Sequence, residues 1–458
     1  MATTGCWPRG IALRTWWRSA WSCLRRWPWP TKIFAKSVVL AVTSGRTLEK
    51  AFGPLEMSSE INQPVDRPMR PAWMEVDLGR LAVNFRLIRE DAPAGLEIGS
   101  VVKDNGYGHG ALAVANVALG RGAGRLLVSN LDEAAELRDA GVSAPILLMG
   151  ERMEAELPAC LELNLTLAVG EPALAEAANR LAVSLGQALA VHVKIDTGMG
   201  RYGVRWSEAL GLLESVNSMP GLRLEGLFSH FPMSDESDKS FALGQIGRFQ
   251  ALIGELEQSS INVQCRHLCN SGGFLDLPDA HLDMVRIGLL PLGVYPSKVC
   301  RRIPGIEPVG TVKTRLAMVK KIHKGDNVGY GLRYKAPGER RIGVLPIGYG
   351  DGYPRVRNQG HVLVHGKRAP VIGANAMDST MVDLTAIPEA AAWDEVLLMG
   401  RQGESEITPH DLAAWKGTIS YEVLTGWRSR IPRVYLNSAR EEGESIQAKL
   451  EPAGSIGV

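Results

Sequence analysis

The sequence predicts an α/β domain of the (β/α)8 barrel type followed by a mostly β domain. Three observations carry this. From residue 72 onward nine short apolar or β-rich runs recur, at 73–78, 98–102, 126–128, 145–149, 165–169, 190–195, 222–228, 263–268 and 284–287. Helical stretches rich in Ala, Leu and Glu lie between most of them. Past about residue 295 the rhythm changes to short β-like runs separated by Gly and Pro, with few helix signals.

Strands alternating with helices imply βαβ units and a parallel sheet. About eight such repeats over some 220 residues favour a closed barrel over an open sheet. The helices expected between the runs are at 131–140, 172–185, 207–216 and 241–258. In the second domain the β-like runs are at 309–322, 341–347, 361–364 and 395–399. The organisation expected is an extension over 1–70, a barrel over 71–300, a β domain over 301–440 and a polar tail over 441–458.

Composition sets the outer bounds. With 45% hydrophobic and 22% charged residues in 458, the chain is not disordered, collagenous or a disulfide scaffold. A formal charge of +2 gives no reason to invoke nucleic acid or a membrane as partner. No apolar run reaches the roughly 18 residues of a spanning helix. The charge is uneven, however. Residues 1–56 hold nine Lys and Arg against Glu49 and Glu56, a net +7, so the remainder carries −5. Six of the eleven Trp lie between Trp7 and Trp29. This leader reads foremost as sequence upstream of a later start at Met57 or Met69. Secretory signal, organelle transit peptide and membrane-surface helix are the alternatives. The apolar run at 37–42 is short for a signal, and Pro8, Pro28 and Pro30 break a helix. A cytoplasmic setting is expected, periplasmic or organellar only if the leader is a genuine address.

Of six cysteines, Cys6 and Cys23 lie in the leader, and four in so long a body do not form a disulfide framework. Cys265-Arg-His267-Leu-Cys269 looks like a metal cluster, but its apolar-flanked alternation reads as a buried strand, and no metal is expected.

In a barrel of this type chemistry sits where strands end at the C-terminal face. Five runs end in polar residues. Val101-Val102-Lys103-Asp104-Asn105-Gly106-Tyr107 places a lysine at the inner end of an apolar strand, where desolvation makes a nucleophilic amine. A surface lysine at a turn is the alternative. Lys194-Ile-Asp196-Thr-Gly-Met-Gly-Arg201 offers an arginine for an anionic or phenolic oxygen, or merely an ion pair. Ser229-His230 supplies an acid/base or a ring to pack on a flat ligand, unless it is a satisfied core histidine. His267-Leu-Cys-Asn270-Ser271-Gly-Gly brings small donors suited to phosphate. Asp283-Met-Val-Arg286-Ile-Gly288-Leu289 places an arginine inside and exposes backbone N–H groups on a late strand, where phosphate sites recur. A phosphate site, a strand-end lysine and a flat-ring environment together point to pyridoxal phosphate held as a Schiff base.

These motifs resemble the alanine racemase family over residues 71–435. VVKDNGYGHG matches its cofactor-lysine motif, and VKIDTGMGRYG, LFSHF, HLCNSGG, DMVRIG, DNVGYG, IGYGDGY, AMDSTMVDL and GTISYEVLTGWRSRIPRVY follow in order. The resemblance implies Lys103 as the cofactor lysine and one catalytic base. It implies Tyr330 as the opposite base, reaching the site from the partner of a head-to-tail homodimer. It assigns Tyr107, Ser271, Gly288, Leu289 and Tyr421 to the phosphate, with Asn270 beside them. Arg286 would face the pyridine nitrogen and keep it unprotonated. Arg201 would contact the phenolic oxygen and substrate, and His230 would support the ring and Tyr330. Lys194 is the position often carboxylated in the family. Met377 and Asp378 would approach the substrate carboxylate, and Asp235, Tyr349 and Arg355 would line the entry corridor. The implied reaction interconverts L- and D-alanine, supplying D-alanine for peptidoglycan. A serine or broad-specificity racemase and a non-catalytic cofactor-binding protein are the alternatives. Departures are Asp104 and Gly106 where the family commonly has Ala, the Leu290-Pro291-Leu292-Gly293 run, and Ala374 and Ala376 where Arg and Cys are frequent. They bear on substrate breadth rather than on the reaction.

Overall fold

The computed structural model describes residues 70–437 other than 260, together with the backbone of 440, 441, 444 and 445. Readings of residues 1–69 and of the tail beyond 445 lie outside those residues.

Strand β1 (Ala72–Asp77) is followed by β2 (Glu97–Val101), β3 (Arg125–Val128), β4 (Ile146–Leu148), β5 (Thr166–Val169), β6 (Leu189–Asp196), the short β7 (Val204–Arg205), β8 (Leu222–Phe228), β9 (Cys265–His267) and β10 (Met284–Ile287). Eight of these form one parallel sheet in the order β10-β2-β3-β4-β5-β6-β8-β9. It nearly closes: across the β9–β10 seam Asp283 N–H donates to Arg266 O and Arg286 N–H to Cys269 O, both at 3.0 Å. The Arg266–Asp283 ion pair at 2.7 Å clamps the same seam. Strands β4 and β5 are buried throughout, as strands covered on both faces should be.

The outer helices follow local rules. Pro172–Leu185 starts with Pro at its first turn, buries Leu174, Ala175, Ala178 and Ala182, and stops at left-handed Gly186. Leu131–Asp139 opens on a capping box between Asn130 and Glu133. Among the described residues no helix is long and apolar enough to cross a membrane.

The second domain adds β11 (Gly310–Arg315), β12 (Met318–Ile322), β13 (Asn327–Val328), β14 (Tyr334–Lys335), β15 (Arg340–Leu345), β16 (His361–Val364), β17 (Lys367–Pro370), β18 (Thr380–Asp383), β19 (Glu395–Gln402), β20 (Ser405–Ile407) and β21 (Arg433–Leu436). Its main sheet runs β17-β16-β19-β11-β1-β21, and β12-β15-β18 form another. The 73–78 run therefore differs from expectation. It is not a barrel strand but lies between β11 and β21. Its charged alternates give the reason: Glu75 pairs with Lys313 at 3.1 Å, so β1 keeps one polar face that a barrel strand lacks. The sparse helix signals past 295 also conceal two helices, Pro409–Lys416 and Ser420–Thr425. The first is announced by Thr408, whose hydroxyl accepts from Asp411 N–H.

Candidate active site

Lys103 follows β2 at the barrel mouth. The chain then turns through four left-handed residues, Asp104, Asn105, Gly106 and Tyr107, with φ of 53°, 54°, 60° and 51°. Such a turn is unfavourable for L-residues and persists only when held. Asn105 Oδ1 accepts from Ala111 N–H at 2.9 Å, and Glu133 Oε1 accepts from Asp104 N–H at 2.7 Å. Burial lowers the Lys103 amine below its ordinary value, and the Arg201 guanidinium adds to the fall, against Asp104 and Glu133. The reading of a desolvated strand-end amine is the one this environment supports.

The turn swings Tyr107 beneath the barrel rim, toward Tyr421, at a ring separation of 6.2 Å. Burial raises both phenols well above their ordinary value, so both stay protonated donors. Opposite them, a Cβ at Gly288 would lie 2.6 Å from Tyr107 Oη, so only glycine leaves this space open. Ser271 Oγ accepts from Gly288 N–H at 3.2 Å and lies 3.5 Å from Leu290 N. Asn270 is turned to its own loop: its Oδ1 accepts from Gly273 N–H at 2.9 Å and from Ser234 Oγ at 2.7 Å. Asp235 backs the same loop beside Gly272. Hydroxyls and backbone N–H groups around a cleft that one Cβ would fill fit a phosphate group, and so fit that end of pyridoxal phosphate.

Deeper in the barrel Arg286 is buried. Its Nη2 donates to Ser229 O at 2.8 Å, Leu268 O at 3.1 Å and His230 Nδ1 at 3.0 Å, and its Nη1 to His267 Nδ1 at 2.8 Å. Its Nε–H has no protein acceptor among the described residues. Burial pulls this guanidinium down to about 10, which leaves it charged at neutral pH. Because Arg286 only donates, His230 Nδ1 must accept, and neutral His230 carries its proton on Nε2. Burial and then Arg286 hold His230 well below its ordinary value.

Lys194 is buried with Nζ 4.1 Å from the Phe228 ring centroid. Burial, Arg286 and Arg201 lower it well below its usual value. The ion pair with Asp196 is not formed. Asp196 instead accepts from the backbone N–H groups of Gly198, Met199 and Gly200, at 2.8 Å, 2.9 Å and 3.0 Å.

The remaining expected residues lie on the β domain. Tyr330 begins a single turn after Gly329 and is 73% exposed, and Met377 is 52% exposed. Asp378 is paired with Arg430, which also reaches buried Asp351 at 3.3 Å. Arg355 packs over Tyr349, guanidinium carbon to ring centroid 5.8 Å. Among the described residues no hydrogen bond, ion pair or ring contact joins Tyr330, Tyr349, Met377 or Asp378 to Lys103 within one chain. The contacts thus join Tyr107 with Tyr421, Ser271 with Gly288 and Arg286 with His230, whereas Arg201, Tyr330, Arg355, Met377 and Asp378 are exposed and Tyr349 is half-buried.

Residues 76–296 match the model of the alanine racemase N-terminal domain and residues 309–435 that of the C-terminal domain. The chain belongs to the alanine racemase family. An alanine racemase of Desulforamulus reducens is 42% identical over 369 residues, covering 80% of this chain and 99% of that one. The crystal structure of alanine racemase from Bacillus anthracis with bound L-Ala-P superposes with a TM-score of 0.77 at 34% identity, covering 83% and 97% of the two chains. A histidine racemase from Leuconostoc mesenteroides superposes with a TM-score of 0.74 at 30% identity, covering 81% and 99%. In this alanine racemase fold the residues missed by sequence reasoning are His192, Glu133, Arg430 and Asp351. His192 was legible in principle, since it shares the inward face of β6 with Lys194 two residues on.

The buried histidines set a pH dependence. Burial lowers His109 to about 4, His192 to about 3, and His267 well below its ordinary value. Each ring is neutral when folded, whereas the unfolded chain protonates it below about 6.5. As pH falls past that value the unfolded state binds more protons, so stability is lost, by about 1.4 kcal/mol per pH unit for each ring. For His109 the loss ends near the folded value of about 4. Urea midpoints measured from about pH 7 to about pH 5 should decline steadily. A flat profile would count against neutral buried rings.

Proposed function

We propose that the protein is a pyridoxal-phosphate-dependent isomerase that interconverts L- and D-alanine as a head-to-tail homodimer in the cytoplasm, supplying D-alanine for peptidoglycan. The observation that carries this is the desolvated Lys103 amine at one mouth with the Gly288–Ser271–Tyr107 cleft and the unpaired Arg286 Nε–H.

When bound, pyridoxal phosphate supplies the electron sink that lets the Cα–H bond of an attached amino acid ionise. Tyr107, Ser271, Tyr421 and the N–H groups near Gly288 and Leu289 would hold its phosphate. Lys103 would tether it, and its amine, when free, would accept or return the proton on one face. The opposite face is served by the partner subunit's Tyr330, whose phenolic oxygen receives the His230 Nε2–H. One base on each side lets a proton leave one face and a second arrive on the other without either group crossing the plane. Arg286, whose Nε–H has no protein acceptor among the described residues, would face the pyridine nitrogen. A charge already fixed on Arg286 would oppose protonation there, which would limit electron withdrawal and restrain side reactions. Arg201 would contact the phenolic oxygen and the substrate carboxylate. Burial, then Arg286 and Arg201, disfavour the charged form of Lys194; its neutral amine would add to carbon dioxide with release of a proton, and the carbamate anion would pair with Arg201. Met377, Asp378, Tyr349 and the corridor residues Asp235 and Arg355 bound the substrate space.

The test is incubation of purified protein, loaded with pyridoxal phosphate, with L-alanine and a chiral readout. D-alanine should accumulate to an equal mixture. Absence of both racemisation and Cα–H exchange would overturn the reading. The fold is shared with a histidine racemase, so a panel including serine and histidine ranks the substrates. A preference for another amino acid would replace alanine and leave the reaction type standing.

A further inference from the structure

Below Arg286 the barrel interior holds polar side chains that the reaction does not use. From Arg286 Nη1 the chain passes to His267 Nδ1 at 2.8 Å, from His267 Nε2 to His192 Nδ1 at 2.8 Å, and from His192 Nε2 to Arg125 Nη1 at 3.2 Å. Arg125 ends the series on Glu97, Nε to Oε1 at 2.6 Å. His192 and His267 are completely buried. His267 stacks on Phe228 at 4.7 Å and 7°, which fixes its plane. The β6–β8 register shifts between Val191 and His192, and a Cβ at Gly226 would lie 2.6 Å from the His192 ring, so the strand pair is shaped around this imidazole.

With Cys265, whose sulfur lies within 4.8 Å of ring nitrogens of both histidines, the cluster has the composition of a metal site. Its geometry opposes that use. Both nitrogens of each ring already face a partner, and guanidinium groups flank the pair at either end. Burial pushes the Cys265 thiol up to about 12, away from the thiolate a metal needs. A spacing of 2.8 Å is a hydrogen bond, shorter than the roughly 3.3 Å between two nitrogens bound tetrahedrally to zinc.

Counting protons gives the order of the chain. A guanidinium has donors only, so Arg286 forces His267 Nδ1 to accept, and neutral His267 carries its proton on Nε2. That proton goes to His192 Nδ1, and neutral His192 then carries its own on Nε2, facing Arg125, another pure donor. Starting from Arg125 moves the conflict to the His267–Arg286 contact, and satisfying both arginines moves it to the contact between the rings. Two neutral imidazoles between two guanidiniums always hold one proton more than their contacts accept, and protonating a ring adds a further donor. Of the three contacts the longest is His192–Arg125, and Arg125 has its charge met by Glu97.

We propose that His267 and His192 form a one-way hydrogen-bond relay running down from Arg286, both rings protonated on Nε2, with the donor–donor mismatch confined to the His192–Arg125 contact. They are positioning residues: the relay fixes the Arg286 plane from beneath so that Nε–H is aimed at the barrel mouth. The consequence for the cofactor rests on the pyridoxal-phosphate reading above, whereas the proton order does not.

Neutron diffraction from deuterium-exchanged crystals of the holoenzyme, and of the same protein freed of cofactor, reads the order directly. Deuterium on Nε2 alone is expected on both rings. Deuterium on Nδ1 of either ring would overturn the relay. In the holoenzyme His192→Phe removes the acceptor of His267 Nε2–H. It should lower kcat about tenfold with KM within about twofold, and shift the visible absorbance of the lysine-bound cofactor. His192→Gln, whose amide oxygen accepts in its place, should restore both to within about twofold. Equal losses in the two variants, or unchanged kcat and absorbance in His192→Phe, would overturn the positioning role. Wild-type protein that never takes up pyridoxal phosphate would instead refute the cofactor reading, whatever the deuterium positions.

Discussion

Lys103→Ala should abolish racemisation in both directions, a fall of at least about 10³-fold, while the protein stays folded. On the proposed mechanism two roles are lost at once, the covalent tether and the base on one face. The fold should be indifferent for local reasons. Lys103 is only partly buried and has no hydrogen-bond partner among the described residues, so truncation strands no buried polar atom. The left-handed turn that follows is held by Asn105 and Glu133, not by the lysine. Three readouts separate the roles. Chiral assay should show no D-alanine, the visible absorbance of a lysine-bound cofactor should be missing, and the melting temperature without cofactor should match wild type within a few degrees. Added methylamine should return part of the rate, because a small amine replaces the base but not the tether. Retained racemisation would move the base elsewhere. A collapsed melting temperature would show that the amine has a structural role its surroundings do not indicate.

The candidate site is legible in part because barrel chemistry collects where apolar runs end, and those ends carry unusual residues: Lys103, Arg201, His230, Ser271, Arg286. What escaped was set by three-dimensional pairing. The 73–78 run has the same short apolar character as its neighbours, and only its pairing with β11 and β21 assigns it to the β domain. Its charged alternates, Glu75 and Asp77, were the available clue. The helix Pro409–Lys416 was marked by Thr408 and Asp411 but is too short for a strong periodic pattern. His192 sits inside a strand rather than at its end. Its importance follows from its contacts with His267 and Arg125, which are 75 and 67 residues away in sequence. Asp196 misled in the opposite sense: adjacent charges suggested an ion pair, whereas the three glycine-rich N–H groups after it provide the better partner.

The most exposed of the expected residues give the sharpest test of the dimer. Tyr330 is 73% exposed and Met377 52%, and Leu332, two residues after Tyr330, is 66% exposed. They lie in the same domain as a groove of about 480 Å³ bordered by Lys320, Gly329, Tyr330 and Met381. Large apolar side chains left in solvent on one domain are the feature a partner surface would cover. If the partner subunit's Tyr330 completes each site, Lys103→Ala and Tyr330→Phe lie in different subunits of every site. Each variant alone is then inactive toward one or both faces. In a heterodimer of the two, one site carries both lesions and the other carries neither. Random exchange of an equal mixture makes half of the dimers mixed, so about one quarter of all sites are intact and about one quarter of wild-type activity should return. If instead Lys103 and Tyr330 of one chain served the same site, every site would keep one lesion and mixing would return nothing. The assay needs a subunit-exchange step, a brief exposure to sub-denaturing urea followed by dilution, and a differently tagged copy of each variant to isolate the heterodimer. Isolated in that way, the mixed species should show about half the wild-type rate with an unchanged KM, since the surviving site is chemically complete. A reduced rate with an altered KM would mean that the two sites communicate through the interface, and an inactive heterodimer would remove Tyr330 from the partner's site.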